Sequence, residues 1–358
     1  MKLIAQAKLK TDPEQTLALR STMEQANACC NWLSGQAWEH QVFGQFKLHK
    51  LVYHEARKLF PALSSQIIVR CIARVADAYK LDRKTKREFS SLSSIPYDER
   101  ILHWYVLRQE VSIWAVGGRL RLSYEVGERQ RVLLVTLQGE ADLIFRDGVF
   151  YLYQTCNVEE PPITEPQGFL GVDLGIKNIA TDSDGNQYAG GHLNGLRARH
   201  AKLRTKLQHK GTKSAKRLLK KRSKKEHRLS HHVNHVISKR LVERAKVTTR
   251  GIALEDLKGI RERVSVRKAH RRQLNSWAFY DLRQKIEYKA KLAGVILKLV
   301  NPRNTSRTCP ICGSIDKANR PDQATFRCLA CGFSGHADII AAGVIARRAA
   351  IDQPYVSA

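Results

Sequence analysis

The stretch Gly171-Val172-Asp173-Leu174-Gly175-Ile176-Lys177-Asn178-Ile179-Ala180 constrains this chain more than any other. It predicts a short apolar strand carrying one acid at its centre, then a glycine and a return to apolar residues. An ionised carboxylate in such a strand is costly unless something pairs with it, and a bound cation is the usual partner. Two further acids sit beside apolar elements downstream: Glu255 in Gly251-Ile252-Ala253-Leu254-Glu255-Asp256-Leu257, and Asp338 in His336-Ala337-Asp338-Ile339-Ile340-Ala341-Ala342. Three such carboxylates are what an all-oxygen Mg²⁺ or Mn²⁺ site needs. Taken singly, each has a plainer reading. A D-x-G can be a strand-end turn, Asp256 offers the same chemistry as Glu255, and Asp338 can be a helix cap. The weight lies in the order of the three, with a cysteine set between the last two.

That set is Cys309, Cys312, Cys328 and Cys331: C-x-x-C, fifteen residues, C-x-x-C. Two matched pairs at this spacing predict a tetrahedral zinc site on two knuckle turns, each followed by a glycine (Gly313, Gly332). Four thiolates leave no open position on the ion, so the zinc is structural. A redox dithiol is the other chemistry C-x-x-C allows. Cys29, Cys30, Cys71 and Cys156 lie among apolar residues and read as buried thiols, which suits a reducing compartment.

Charge narrows the partner. A formal net charge of +29 over 358 residues makes a polyanion the natural ligand. The cations concentrate between Arg197 and Lys225, where no acid occurs. Among them Lys202, Arg204, Lys206, Lys210, Lys213, Lys216, Arg217, Lys220, Lys221 and Arg222 are the candidate nucleic-acid contacts. Leucines 203, 207, 218 and 219 predict two packed helices broken near Gly211, tracking a phosphate backbone without reading sequence. No apolar run approaches the length of a membrane span, and Met1-Lys2-Leu3-Ile4-Ala5-Gln6 lacks a secretory core.

Texture divides the chain. Residues 2–9 predict an opening strand, Thr11-Asp12-Pro13-Glu14 a helix start, and Ser64–Tyr79 a second strong helix. The aromatics and cations between them read as a packed helical hairpin or as base-stacking groups. Val111–Val116, Arg119–Tyr124 and Val132–Leu137 predict strands, and Asp142–Tyr153 a hairpin turning at Asp147-Gly148. The first half is thus a β-barrel or sandwich with helices inserted at about residues 11–95, and Glu159–Pro166 is the linker. Beyond it, a strand near Tyr188, helix over Leu229–Ala245, a strand over Val247–Leu254, a helix over Trp277–Leu292, a strand over Val295–Val300 and a final helix beside Asp338 fit an α/β domain of the RNase H type. The whole is an α+β multidomain chain.

Residues 166–358 resemble the RuvC-like nuclease half of TnpB proteins, the RNA-guided nucleases of bacterial insertion sequences, to which the type V CRISPR effectors are similar. The resemblance rests on G-V-D-L-G-I-K-N-I-A-T at 171–181, I-A-L-E-D-L at 252–257 and S-W-A-F-Y-D-L-R-Q-K-I-E-Y-K-A at 276–290. It continues with N-P-R-N-T-S-R-T-C-P-I-C-G at 301–313, C-L-A-C-G-F at 328–333 and H-A-D-I-I-A-A at 336–342. Residues 1–165 resemble the family only in architecture, a wedge-like barrel with an inserted helical recognition part.

The resemblance implies that Asp173, Glu255 and Asp338 hold two catalytic Mg²⁺ or Mn²⁺ ions in a RuvC-like domain with a zinc ribbon inserted at about residues 304–335. It implies a guide RNA encoded at the element's end, a double-stranded DNA target beside a short flanking motif, and a bacterial cytoplasmic, nucleoid-associated setting. The family's last motif usually reads D-x-N-A-A, and Ile340 stands where the asparagine belongs. A guided repressor that binds without cutting, and an unguided resolvase-like nuclease, are the rival readings. A zinc-ribbon transcription factor would have no use for the carboxylates.

Overall fold

The computed structural model describes residues 1–175, 177–257 and 279–351, and the chain separates into two compact units, Met1–Glu159 and Glu160–Ala358.

The first unit opens with β1 (Lys2–Leu9), followed by helices α1 (Pro13–Glu39), α2 (Gln45–Leu59) and α3 (Ser65–Leu81). Asp12 caps α1 through the Gln15 backbone N–H, the Gln15 side chain returns the bond, and Pro13 needs no donor at the first turn. Strands β2 (Ile95–Tyr97), β3 (Leu102–Tyr105), β4 (Glu110–Ala115), β5 (Gly118–Glu125), β6 (Leu137–Arg146) and β7 (Val149–Asn157) complete a seven-stranded sheet in the order β2-β6-β7-β1-β5-β4-β3. β1 pairs antiparallel with both β5 and β7, so the opening strand is central. The sheet keeps two edges, β2 and β3, and is nearly closed, not a sealed barrel. Asp147 and Gly148 both take positive φ, the tight turn expected between β6 and β7. The strand expected over Val132–Leu137 is instead helix α4 (Glu128–Leu133) followed by one 3₁₀ turn. Its apolar run mimics a strand, but Leu133 and Leu134 are buried while Val132 and Val135 face water, a helical pattern.

The aromatics between the first helices are mostly packing groups. Trp38 and Phe43 both lie against the buried Tyr79 ring, 6.5 and 4.6 Å between centroids. Cys29, Cys30, Cys71 and Cys156 are buried, as expected.

The second unit is a five-stranded sheet flanked by helices. Strands β8 (Phe169–Asp173), β9 (Asn178–Asp182) and β10 (Gln187–Ala189) form an antiparallel meander, while β11 (Gly251–Glu255) and β12 (Leu297–Val300) add on parallel to β8, giving the order β10-β9-β8-β11-β12. Helices α5 (Gly191–Lys210) and α6 (Lys213–Val247) break at Gly211, which takes φ 63°. The helix expected over Leu229–Ala245 is the second half of α6. Val247 ends that helix, so the strand expected from there begins only at Gly251. The start of the helix expected over Trp277–Leu292 lies outside the described residues; its described part is α7 (Phe279–Ala293). Leu170, Val172, Ile252 and Leu254 pack with α6 and α7 through Leu241, Ile237, Leu282 and Ile286. On the opposite face Ala253 and Val300 meet Ile345 and Ala349 of the last helix, α8 (Ala337–Ile351). Among the described residues no helix is long and apolar enough to cross a membrane.

Between α5 and α6 one acid serves several cations. Glu226, the first acid after the basic run, lies 3.5 Å from Arg197, 3.4 Å from His200 and 3.8 Å from Arg204. Of the ten candidate contact cations, nine are exposed and Arg222 is half-buried. Leu207 packs into the seam as expected, whereas Leu218 is exposed.

Candidate active site

Strand periodicity places the acids. Side chains alternate across a sheet, so Asp173 shares its face with Gly171, and Glu255 shares its face with Ala253. Both are on the side covered by α8. The parallel register sets Val172 against Leu254, so the next residues of the two strands, Asp173 and Glu255, leave the sheet side by side. Asp338 lies in the first turn of α8. All three line a cleft of about 650 Å³ together with Asn178, Thr305 and Arg320.

That arrangement depends on Gly171. A Cβ there would fall on the carbonyl oxygen of Ala342 and within 2.6 Å of the Ala346 nitrogen, both α8 backbone. Gly171→Ala is therefore expected to push α8 off the sheet and carry Asp338 with it. The cost is about 2–3 kcal/mol, an overpacking penalty with no flexible side chain to absorb it. Denaturant unfolding of this variant beside wild type checks the value.

The electrostatics are those of a cation site. Burial first, then the charges of Glu255 and Asp338, push the Asp173 carboxyl up to about 7, while Arg320 pulls the other way. Burial also raises Glu255, against the pull of the Thr305 hydroxyl that donates to its Oε1. Asp338 is held at 3.2 Å by the Arg320 guanidinium and accepts from Asn178 Nδ2 at 3.5 Å. A buried acid raised by two neighbouring carboxylates favours a hard divalent ion, and the all-oxygen donor set fits Mg²⁺ or Mn²⁺. Asp256 turns to Arg283 at 2.8 Å, leaving Glu255 as the acid beside Asp173. His336 sits 3.3 Å from Gln187.

Thr305 and Arg320 come from the cysteine-bearing insert, and nothing in their spacing marks them. Ile340, the departure from the family motif, faces that insert. It is buried with Cys309, Phe326, Cys328 and Ala337 in a small core of its own. An amide nitrogen reaches Asp338 from Asn178 on β9 instead.

The four cysteine sulfurs lie within 4.8 Å of one another, the one such group of three or more potential ligands among the described residues. Cys309 and Cys331 are 3.6 Å apart, and Cys312 and Cys328 3.5 Å, close to the roughly 3.8 Å edge of a tetrahedron with 2.3 Å zinc–sulfur bonds. Gly313 and Gly332 close the knuckles with φ 74° and 73° and donate to the carbonyls of Cys309 and Cys328. The backbone N–H of Cys331 lowers the Cys328 thiol, which favours a thiolate there. The set fits zinc.

Residues 153–259 match a family model described as a probable transposase, and residues 279–345 match that of the Cas12f1-like TNB domain. A Sulfoacidibacillus thermotolerans protein named CRISPR-associated endodeoxyribonuclease Cas12f1 is 46% identical over 95 residues, 26% of this chain and 21% of that protein. A TnpB-like protein of Methanocaldococcus jannaschii is 34% identical over 195 residues, 50% of this chain and 69% of that protein. An Escherichia coli K12 protein, InsQ, named as a candidate RNA-guided DNA endonuclease, is 27% identical over 212 residues, 54% of this chain and 52% of that protein. The chain thus spans about a fifth of the first relative and about half of the last. More than two thirds of the TnpB-like protein is covered at over three-tenths identity, and the two family models take in all three acids: the chain belongs to the TnpB family, allied to the type V CRISPR effectors.

Proposed function

We propose that this protein is an RNA-guided DNA endonuclease of a transposable element, cutting target DNA beside a short flanking motif. The carrying observation is the cleft where Asp173, Glu255 and Asp338 meet with Arg320 at its wall. The sheet order, with three antiparallel strands and two parallel ones beyond the first, suits an RNase H-like (RuvC) domain over residues 166–358. Residues 1–165 would then be the wedge-like part with its helical recognition insert. When bound, two divalent ions would neutralise the phosphate and prepare water for in-line attack. Asp173 occupies the central position, flanked by Glu255, whose carboxylate Thr305 orients, and by Asp338. Arg320 presents a planar guanidinium that can hold non-bridging phosphate oxygens. The zinc ribbon holds these two residues in place. The printed names of the relatives support DNA as substrate and RNA as guide. Base pairing by a guide from the element's end would supply specificity.

The test is to express the protein with its native flanking DNA, sequence the RNA that co-purifies, and assay a plasmid matched to it in Mg²⁺. One dominant RNA ending beyond the element's edge, and cleavage directed by it, are expected. A random mixture of host RNA would overturn the guided reading, and a single guide with binding but no cleavage would establish a repressor. Only Ile340 favours that second outcome, and its place in the ribbon core gives it a packing role instead.

The α5–α6 hairpin supplies the proposed electrostatic track. Lys213, Lys216 and Lys220 recur three and four residues apart along one exposed face of α6. Changing all three to Gln is expected to flatten the slope of log K against log salt by about 0.7–0.9 for each phosphate no longer neutralised. RNA-binding isotherms at several salt concentrations read this directly.

A further inference from the structure

On the α6–α7 seam, sharing no residue with the acid cleft or the cysteine set, α6 carries His227, His231 and His235 one turn apart. The Nε2 atoms of His231 and His235 converge to 3.2 Å, with the rings 4.7 Å apart at 75°. Two imidazole nitrogens on one ion at about 2.0–2.1 Å, at angles between square and tetrahedral, stand about 2.8–3.4 Å apart. The observed spacing falls inside that window.

The other side of each ring is engaged as metal-bound histidines usually are. His231 Nδ1 lies 3.5 Å from the Asp281 carboxylate. Burial alone would raise that acid, but Lys285 and Asn234, which both donate to it, hold it below the usual carboxylate range. An ionised carboxylate accepts only, so it selects the tautomer of His231 with the proton on Nδ1 and a lone pair on Nε2. His235 Nδ1 lies 3.5 Å from the Tyr288 hydroxyl, which can donate or accept. With the hydroxyl accepting, the Nε2 of His235 is a second lone pair aimed at the first. Burial, then Lys285, also lowers the basicity of His231, favouring the neutral ring a metal needs.

We infer that His231 and His235 form a chelating site for a borderline transition-metal ion such as Ni²⁺, Cu²⁺, Co²⁺ or Zn²⁺. Asp281 and Tyr288 orient the ligands. The site is distinct from the proposed zinc and Mg²⁺ centres, and with two protein ligands the ion keeps exchangeable positions. Imidazole donors exclude Mg²⁺ as the preferred occupant.

The test uses the full chain loaded with a single equivalent of zinc, enough for the four-cysteine set alone, in excess Mg²⁺, so that the other two centres do not compete. Calorimetric titration with Ni²⁺ is expected to give one site per chain. His231→Gln and His235→Gln should each weaken it by at least about tenfold, and Asp281→Asn by about tenfold through the lost orientation. His232→Gln, an exposed neighbour outside the pair, should leave it unchanged. With Cu²⁺ the same site should show electron-spin hyperfine coupling to two nitrogens, and to fewer in each single variant. Absence of Ni²⁺ binding to wild type, or equal binding by the folded double variant His231→Gln/His235→Gln, would overturn the assignment.

Discussion

Asp173→Asn is expected to abolish Mg²⁺-dependent cleavage, by on the order of 10³-fold or more, while raising the melting temperature of the Mg²⁺-free protein. The two effects have one cause. Burial and the neighbouring carboxylates push Asp173 up to about 7, so its ionised form is destabilising in the folded state. An acid raised on folding costs nothing below its unfolded value near 4. The penalty grows as pH rises and is complete above about 7. Asn keeps the shape and removes the charge. The variant's gain should therefore be small at pH 5 and reach about 2 kcal/mol, a few degrees in melting temperature, at pH 8.5. Added Mg²⁺ should stabilise wild type and leave the variant unmoved. Scanning calorimetry at the two pH values checks the sign. A variant less stable than wild type at pH 8.5 would mean that Asp173 is satisfied by the protein alone and needs no cation.

Cys328→Ser is expected to lose zinc and cleavage together, although no cysteine lines the cleft with the acids. Metal binding and folding are coupled in such ribbons, with about 10–16 kcal/mol of apparent zinc affinity behind the fold. Beyond the metal, the small core of Cys309, Phe326, Cys328, Ala337 and Ile340 has little to hold it. That core links the ribbon to the first turn of α8, where Asp338 sits. The ribbon also contributes Arg320 to Asp338 and Thr305 to Glu255. Zinc content should fall from about one per chain, and cleavage by more than about tenfold. The five-stranded sheet should persist by circular dichroism. Cleavage at the wild-type rate by zinc-free protein would separate the two sites.

Much of this was legible along the chain. Short strands buried on both faces are read well from apolar runs, although Asp173, expected at the centre of its strand, is the last residue of β8. The cysteine spacing pointed to the cluster of four sulfurs, and Gly211 marked the break between the two basic helices. The misreadings have physical causes. Val132–Leu137 has the β-branched, apolar look of a strand, yet its burial follows a helical pattern once packed. Val247, Thr248 and Thr249 are β-branched and look like the start of a strand, yet Val247 ends the helix and the strand begins only at Gly251.

Other features had no local signal. Arg320 is one cation among 62 lysines and arginines, and only the folding of the ribbon brings it to Asp338. The same holds for Thr305 on Glu255, Asn178 on Asp338 and the convergence of His231 with His235. Ile340 read as a gap in a catalytic motif, and its packing made it part of a core. Most of the elements, and the acids and thiols on offer, follow from periodicity, capping and ligand spacing, which act within a few residues. Which of those groups meet follows from the fold. Strand register, the approach of α8 to Gly171 and the placement of the ribbon are set by contacts between residues far apart in the chain, and local sequence carries no record of those distances.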